Sequence, residues 1–344
     1  MTNVIRPLAA VSAAALLSSG ALAGSQFQDG WRSFRDSTIQ DYGYEWATVG
    51  HARNADWVGL HQGGGVVRHG GVDYRYRIAR TEVTNRQWYE FVLAYAPYVS
   101  AQFSGSSQFT GTGVGLSGGG GYSLPASTAD HAANVGWRFA ARYVNWLHNG
   151  KVNQAWAFES GVYDTSTFGG GTQGNLALTD QRERSEGARY FLPTQDEWVK
   201  AVHFDPDRHG EGQEGYWRYP DSSDTRPVSG APGTSGAQTN AGMGSAANYP
   251  ILSYPDQQTP WGLFDASGSA YEWLETMTAL LQGRRWESTS NDITTLFTDF
   301  DLISSWDGGT PDRLIGIRLA SVIPAPGAGA SLVALAMLMV RRRR

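Results

Sequence analysis

The sequence predicts an irregular α+β domain, and three observations lead there. Three short segments carry the apolar period of amphipathic helices, only two segments read as extended, and glycine-rich stretches separate them. No internal repeat of solenoid or propeller period is present.

The first helix is expected in "TEVTNRQWYEFVLAY". Thr84 and Gln87 have capping-box spacing, and Trp88, Phe91, Val92 and Tyr95 fall at i, i+3, i+4 and i+7. The second lies in "NVGWRFAARYVNWLHNG", where Trp137, Ala140, Ala141 and Val144 line one face and Asn149-Gly150 supplies the stop. His148 falls in its last turn, where a partly positive ring would suit the helix dipole. The third is "LPTQDEWVKAV", with Thr194 and Glu197 as another capping box before Trp198, Ala201 and Val202. "DYRYRIA" alternates as a strand should, and "ARYFLP" leads extended into the third helix. Gly63–Gly71, Gly111–Gly121, Gly169–Gly174 and Gly230–Gly244 read as loops.

Composition narrows the function classes. The chain has 344 residues, 43 of them glycine and 13 tryptophan, with 17% charged. It can bury an aromatic core, yet much of it must run in turns. A net charge of −5 lacks the basic face that nucleic acid requires. There is no cysteine, so neither disulfides nor thiolate chemistry is available.

Both ends read as sorting segments. Residues 1–23 have a positive start at Arg6, an Ala/Leu/Val run and a small-residue cleavage site, Ala21-Leu22-Ala23. A lead-in, 24–73, follows. At the other end, 322–344, Pro324 and Pro326 precede an apolar run from Gly327 to Val340 and four arginines. As a helix that run is about 21 Å long, short against about 30 Å of hydrocarbon. The arrangement resembles the PEP-CTERM sorting signal of Gram-negative bacteria, although Pro324-Ala325-Pro326 stands where Pro-Glu-Pro is usual. That resemblance implies export, an exosortase-type processing enzyme, and a C-terminal segment held transiently or lastingly in the inner membrane.

Several motif matches reduce to chance or packing. Gly115-Leu116-Ser117-Gly118-Gly119 matches a serine nucleophile elbow, and Gly113, Gly115 and Gly118 match a dinucleotide fingerprint. Both need a strand before and a helix after, and a Gly/Ser tract flanks them instead. The seven histidines lack the i, i+4 pairing of a helical zinc site. Glu197 is explained by capping. Trp88, Trp137 and Trp198 have helical spacing and read as core rather than as a sugar platform.

Six stretches in order, "YRIARTEVTNRQWYEFV", "NVGWRFAARYVNWL", "YFLPTQDEWVKAV", "AANY", "GLFDASGSAYEW" and "IGIRLAS", resemble the successive signatures of the sulfatase-modifying-factor family, founded on the formylglycine-generating enzyme. The match covers residues 74–321. It implies one domain with a variant of the C-type-lectin-like fold and little regular secondary structure. The family enzyme holds copper on a cysteine pair to oxidise a substrate cysteine. Soft thiolates suit Cu(I), and none exists here, so copper is not expected. The signature preceding that site appears only as "GRRWE", Gly283 to Glu287, and the usual Gly-Asn is Gly268-Ser269. A relative that makes sulfur-linked histidine betaines uses iron-binding histidines on an added helical domain, for which this chain has neither room nor pattern.

The resemblance also implies structural calcium. One site would use Asp265, the carbonyls of Gly268 and Ala270, and Glu272; a second would use Asn248, the carbonyl of Tyr249, and Asp256 as a later carboxylate. Calcium takes about six to eight hard oxygens, and a small residue lets a loop curl around it. The expectation is therefore a calcium-stapled, non-catalytic binding or structural module that meets a protein or glycan ligand at the cell envelope. The alternative is an enzyme of the same family with a cysteine-independent site.

Overall fold

The computed structural model describes residues 39–60, 65–169, 179–243, 249–277, 284–287 and 315–323, with backbone alone for Leu60 and 284–287. These lie in one compact unit, Asp36–Arg344. The segments 1–38 and 324–344, on which both sorting expectations fall, lie outside the described residues, as do Gly283 and Asn248. No helix among the described residues is long and apolar enough to cross a membrane.

The sheet elements are short. A three-stranded antiparallel sheet sets β4 (Tyr76–Ala79) between β1 (Trp46–Val49) and the last strand, β12 (Ala320–Val322), with Trp46 opposite Ala79 and Ala320 opposite Ile78. All four residues of β4 are buried. The alternation read in "DYRYRIA" therefore does not divide core from solvent; a central strand covered on both faces needs no polar face. Arg77 in that strand is buried against Trp46 and reaches the Ser321 hydroxyl. The stretch "ARYFLP" is extended as expected, with Phe191 exchanging backbone hydrogen bonds with Ala320.

A second sheet centres on β9 (Tyr271–Met277), antiparallel to β10 (Arg284–Glu287) and parallel to β11 (Ile315–Gly316). Three two-stranded hairpins complete the strands: β2 (Trp57–Leu60) with β3 (Val66–His69), β5 (Gly115–Ser117) with β6 (Gly121–Ser123), and β7 (Phe204–Asp205) with β8 (Gly215–Tyr216). Two glycine-rich stretches read as loops thus contain ladders, because Gly119 and Gly120, at φ +94° and +84°, form the reversal between β5 and β6. The serine of the apparent nucleophile elbow lies in that exposed hairpin, with no helix after it.

The three expected helices form. α1 (Asn85–Tyr95) and α5 (Gln195–His203) both carry complete capping boxes, Thr84 with Gln87 and Thr194 with Glu197. α2 (Ser107–Thr110) and α4 (Ala155–Glu159) are single turns flanking α3 (Trp137–His148). α3 starts at Gly136 without a side-chain cap. His148 in its last turn departs from the expected positive ring. Burial, and then Arg189, lower its pKa, and its Nδ1 accepts the Arg189 N–H, as a neutral ring can.

Four tryptophans with almost no exposure tie these pieces together, and each indole N–H has an acceptor. Trp88 donates to Phe109 O (2.9 Å), Trp137 to Leu274 O (2.9 Å), Trp273 to Val135 O (2.7 Å) and Trp198 to a Glu272 oxygen (2.6 Å). Three of the four bonds join a helix, or the segment leading into one, to β9. Burying a large ring with its polar atom satisfied is how a chain with short elements and no disulfides gains a fixed core.

Lys200 on α5 performs a similar closure with a charge. It is fully buried, and its Nζ donates to His51 O (2.9 Å) and Val72 O (3.3 Å), clasping two N-terminal loops. Burial lowers its pKa from 10.5 to about 8, against the opposing pull of Glu214 and Asp73. A base with a depressed folded pKa contributes stability that is present above the unfolded value and lost as pH falls through the folded one. Between pH 10.5 and about 8, the stability difference between the native chain and Lys200→Met should therefore shift against the native chain. Urea titrations across that window measure it, and a pH-independent difference would refute the assignment.

Candidate functional site

The carboxylates of "GLFDASGSAYEWLE" meet at the start of β9, where an irregular loop becomes a strand. Asp265, Gly268 and Ser269 have φ of +57°, +88° and +59°, so the chain reverses tightly before Tyr271. Gly268 is required there: a Cβ would lie 2.0 Å from Asn240 Oδ1 and 2.7 Å from Thr239 Oγ1. Asn240 Oδ1 accepts the Ser269 N–H at 2.8 Å. Glu82, fully buried just before α1, cradles the same loop, accepting from Ser269 Oγ (2.9 Å) and from the Ala270 N–H (3.2 Å). Asp265 accepts the Leu252 N–H at 2.7 Å.

Glu272 is paired with an arginine. Arg318, in the Ile317-Arg318-Leu319 segment between β11 and β12, reaches it through Nη2 (2.7 Å) and Nε (3.0 Å), with both side chains at 0% exposure. The guanidinium also donates to Ala79 O and Phe264 O. With the Trp198 indole on its other side, Glu272 is occupied at both oxygens. Glu272 bonds the guanidinium directly, while Glu82 and Asp265 feel it only through its charge.

The electrostatics record this arrangement. Burial, then Glu272, push Glu82 well above the usual carboxylate range, with Arg318 pulling the other way. Asp265 is also raised, first by burial and then, among charges, by Glu272. Burial alone would lower Arg318, but Glu272, Glu82 and Asp265 outweigh it and hold the guanidinium charged.

Two tests bear on calcium. The chemistry of the donors fits a hard cation: carboxyl oxygens of Glu82, Asp265 and Glu272 near a single guanidinium, two of them pushed toward the protonated form that a bound cation would reverse, beside a loop curled through left-handed positions. The geometry of the side chains does not make a cage by itself. Among the described residues no three His, Cys, Asp or Glu side chains gather as a metal-holding group, and Glu272 is already engaged. At the second expected site Tyr249 is half-buried and Asp256 exposed.

β9 carries Glu275 to a cleft of about 610 Å³, lined by the 182–188 segment, Thr194, Asp196, Glu275–Met277 and Val322. Arg184 organises its floor. The guanidinium forks onto Glu197 (2.6 and 3.1 Å), lies 3.6 Å from Glu275 Oε1 and stacks 3.6 Å over the Phe191 ring. Tyr74 donates to Glu197 Oε1 at 2.5 Å, and Tyr163 donates to Glu275 Oε2 at 2.8 Å. Burial, then the Glu197 charge, raise the Tyr74 hydroxyl far above its ordinary value, so it stays a donor. Glu197 therefore does more than cap α5: it anchors a second buried charge network.

Sequence reasoning placed Asp265 and Glu272 near one another but missed Glu82, Arg184 and Arg318. A signal existed for one of them. Arg318 is the single charge in the mostly apolar stretch "IGIRLAS", and a charge in such a run needs a counter-charge when the run is buried.

The sulfatase-modifying factor enzyme 1-like domain model matches residues 68–320. A crystal structure of CarF superposes with a TM-score of 0.46 at 19% identity, covering 82% of this chain and 99% of that one. A Treponema denticola protein, variable protein 1, gives 0.44 at 16% identity, covering 81% and 95%. No curated protein matches the sequence.

Proposed function

The chain belongs to the sulfatase-modifying factor enzyme 1-like family, with its α+β fold of the formylglycine-generating type, and from that premise we propose that it is a non-oxidase member, a rigid binding module working at the cell envelope. The observation that carries the reading is the retained family scaffold in a chain without a single cysteine. Cu(I) has no thiolate to hold it, and no cysteine can relay the oxidation. The cleft beside Glu275 supports binding over turnover. Arg184, Glu197 and Glu275 are committed to one another, and no histidine or cysteine lines the space among the described residues. Its rim mixes Arg182 with Glu183, Glu186 and Asp196, a surface suited to a polypeptide segment carrying both charges.

Incubation with copper and a sulfatase-type cysteine peptide should leave the peptide mass unchanged. Turnover above a protein-free control would establish an enzyme and end this reading.

Calcium enters the proposal as a staple on the loop before β9, held by Asp265, the carbonyls of Gly268 and Ala270, and Glu272. The raised pKa of Glu82 and Asp265, which a bound cation would lower, supports it. Since such an ion binds only the folded chain, calcium at a hundredfold over Kd should stabilise by about 2.7 kcal/mol, and chelation should reverse this. The readout is the calcium-dependent shift in Tm, because Glu272→Gln also weakens the Arg318 pair whether or not calcium binds. Asp265→Asn and Glu272→Gln should each lose most of that shift. A full shift retained in Glu272→Gln would leave Glu272 to Arg318 alone.

For location, we propose export by residues 1–23 and retention by the PEP-CTERM-like segment 322–344, with Arg341–Arg344 on the cytoplasmic side, since cationic clusters resist translocation. A periplasm-only reporter fused after Arg344 should be silent; activity there would reverse the orientation.

A further inference from the structure

A second cavity, of about 260 Å³, shares no lining residue with the cleft beside Glu275. It opens between the end of α1, the first half of α3 and the 3-10 turn Thr165–Thr167. Its wall is aromatic, with Tyr95, Tyr98, Phe103, Phe139 and Phe168 around Arg142. Tyr95 and Phe139 belong to the core, while Phe103 and Phe168 are half-buried and Tyr98 is 38% exposed. Ring surface therefore faces solvent inside a concave site.

Arg142 is fixed in place. Its Nε donates to both Glu159 oxygens (3.0 and 3.1 Å) and its Nη1 to Arg138 O (3.3 Å). The guanidinium lies 5.3, 5.5 and 5.9 Å from the ring centres of Phe168, Phe139 and Tyr95. The Tyr95 hydroxyl also lies within hydrogen-bond reach of the guanidinium. Neither cation of the cavity carries surplus charge. Glu159 pairs with Arg142 and accepts from the Tyr95 and Thr165 hydroxyls, and Asp180 pairs with Arg138 at 2.7 Å. Although burial alone would raise Glu159, those partners hold it low and charged.

The occupant such a site selects is small, neutral, flat on one face and rich in hydroxyls. With both ion pairs closed, an ion gains little there. The rings offer apolar faces, and the guanidinium offers N–H donors in a plane already fixed by Glu159 and Arg138 O. The volume falls below the roughly 300–1,000 Å³ of drug-sized pockets, which limits the occupant to about one ring. We propose that this cavity binds a pyranose ring, its C–H face against the aromatic wall and a hydroxyl oxygen accepting from the Arg142 guanidinium. This does not rest on the reading of the cleft or of the calcium loop, since an enzyme or a scaffold could equally carry it.

Saturation-transfer NMR on the full chain tests it, using the methyl glycosides of glucose, galactose, mannose and N-acetylglucosamine, with benzoate as a flat anion. At least one glycoside should bind, with saturation concentrated on one C–H face. Tyr98→Ala should weaken that binding about tenfold, the order expected from losing one ring contact. Arg142→Lys, which keeps the charge and removes the planar edge, should weaken it further. Tyr98 lies at the surface, so its variant should fold even if the arginine variant does not, and an unchanged melting temperature confirms that. The proposal falls if no glycoside binds, if benzoate binds and the glycosides do not, or if Tyr98→Ala leaves glycoside binding intact.

Discussion

Replacing Arg318 with leucine should destabilise the protein by about 3–5 kcal/mol, the range for removing one partner of a buried ion pair. The cost arises mainly from what remains. Glu272 would keep, among the described residues, the Trp198 indole as its side-chain partner, while Glu82 and Asp265 would lose the attraction of the guanidinium. Ala79 O and Phe264 O would each lose a donor as well. Arg318→Lys should fall between, since an ammonium keeps the charge but cannot fork onto a carboxylate while serving two carbonyls. A double-mutant cycle with Glu272→Leu by urea denaturation separates the pair from its surroundings. The cycle should show strong coupling, with the double variant less unstable than the sum of the singles. Run in chelator and in calcium, it also reports whether an ion takes over the role of the guanidinium. A loss below about 1 kcal/mol for Arg318→Leu would mean that the carboxylates are neutral or otherwise paired, and the site as described would be wrong.

Much of the scaffold was legible because it rests on local rules. The two capping boxes, Thr84 with Gln87 and Thr194 with Glu197, are four-residue patterns whose hydrogen bonds form within the element they start. The helical spacing of Trp88, Trp137 and Trp198 likewise placed them in the core. What escaped was set by partners far away in the chain. β9 carries "YEWLETM", which looks like a polar turn flanked by aromatics, and it becomes a central strand because β10 and β11 cover its edges. β4 failed the alternation test for the same reason. Arg318 meets Glu272 from 46 residues away, and Arg184 meets Glu275 from the opposite side of α5 in the sequence. No spacing rule encodes such pairs. The excess of buried carboxylates was invisible until Glu82 was seen at the loop, since sequence reading assigned "TEVTN" entirely to a helix start.

Asn145 gives the second large expected effect, from a residue that sequence reading passed over as one polar position on an amphipathic helix. It is fully buried on α3, and its amide makes four bonds to backbone across the turn after α4. Its Nδ2 donates to Phe158 O (2.9 Å) and Tyr163 O (2.7 Å), while its Oδ1 accepts from the N–H groups of Val162 (2.9 Å) and Tyr163 (2.8 Å). The side chain thus does the work of a missing strand partner for a segment that has no ladder of its own. Asn145→Leu keeps a similar volume and leaves those four groups facing an apolar chain. Each buried group left unpaired costs about 1–3 kcal/mol, so even with partial relaxation a loss of at least about 3 kcal/mol is expected. Asn145→Asp isolates the donor half. It keeps the two accepting bonds but sets a carboxylate oxygen against two carbonyls, and it should be comparably unstable at neutral pH. Acid should relieve part of that loss, because a protonated carboxyl regains one donor. The effect should reach beyond α3. Tyr163 holds Glu275 at the cleft floor, so loosening its backbone should also raise hydrogen exchange in β9 near Glu275. An Asn145→Leu protein within about 1 kcal/mol of the native chain would show that the turn finds its own partners and that the amide is dispensable.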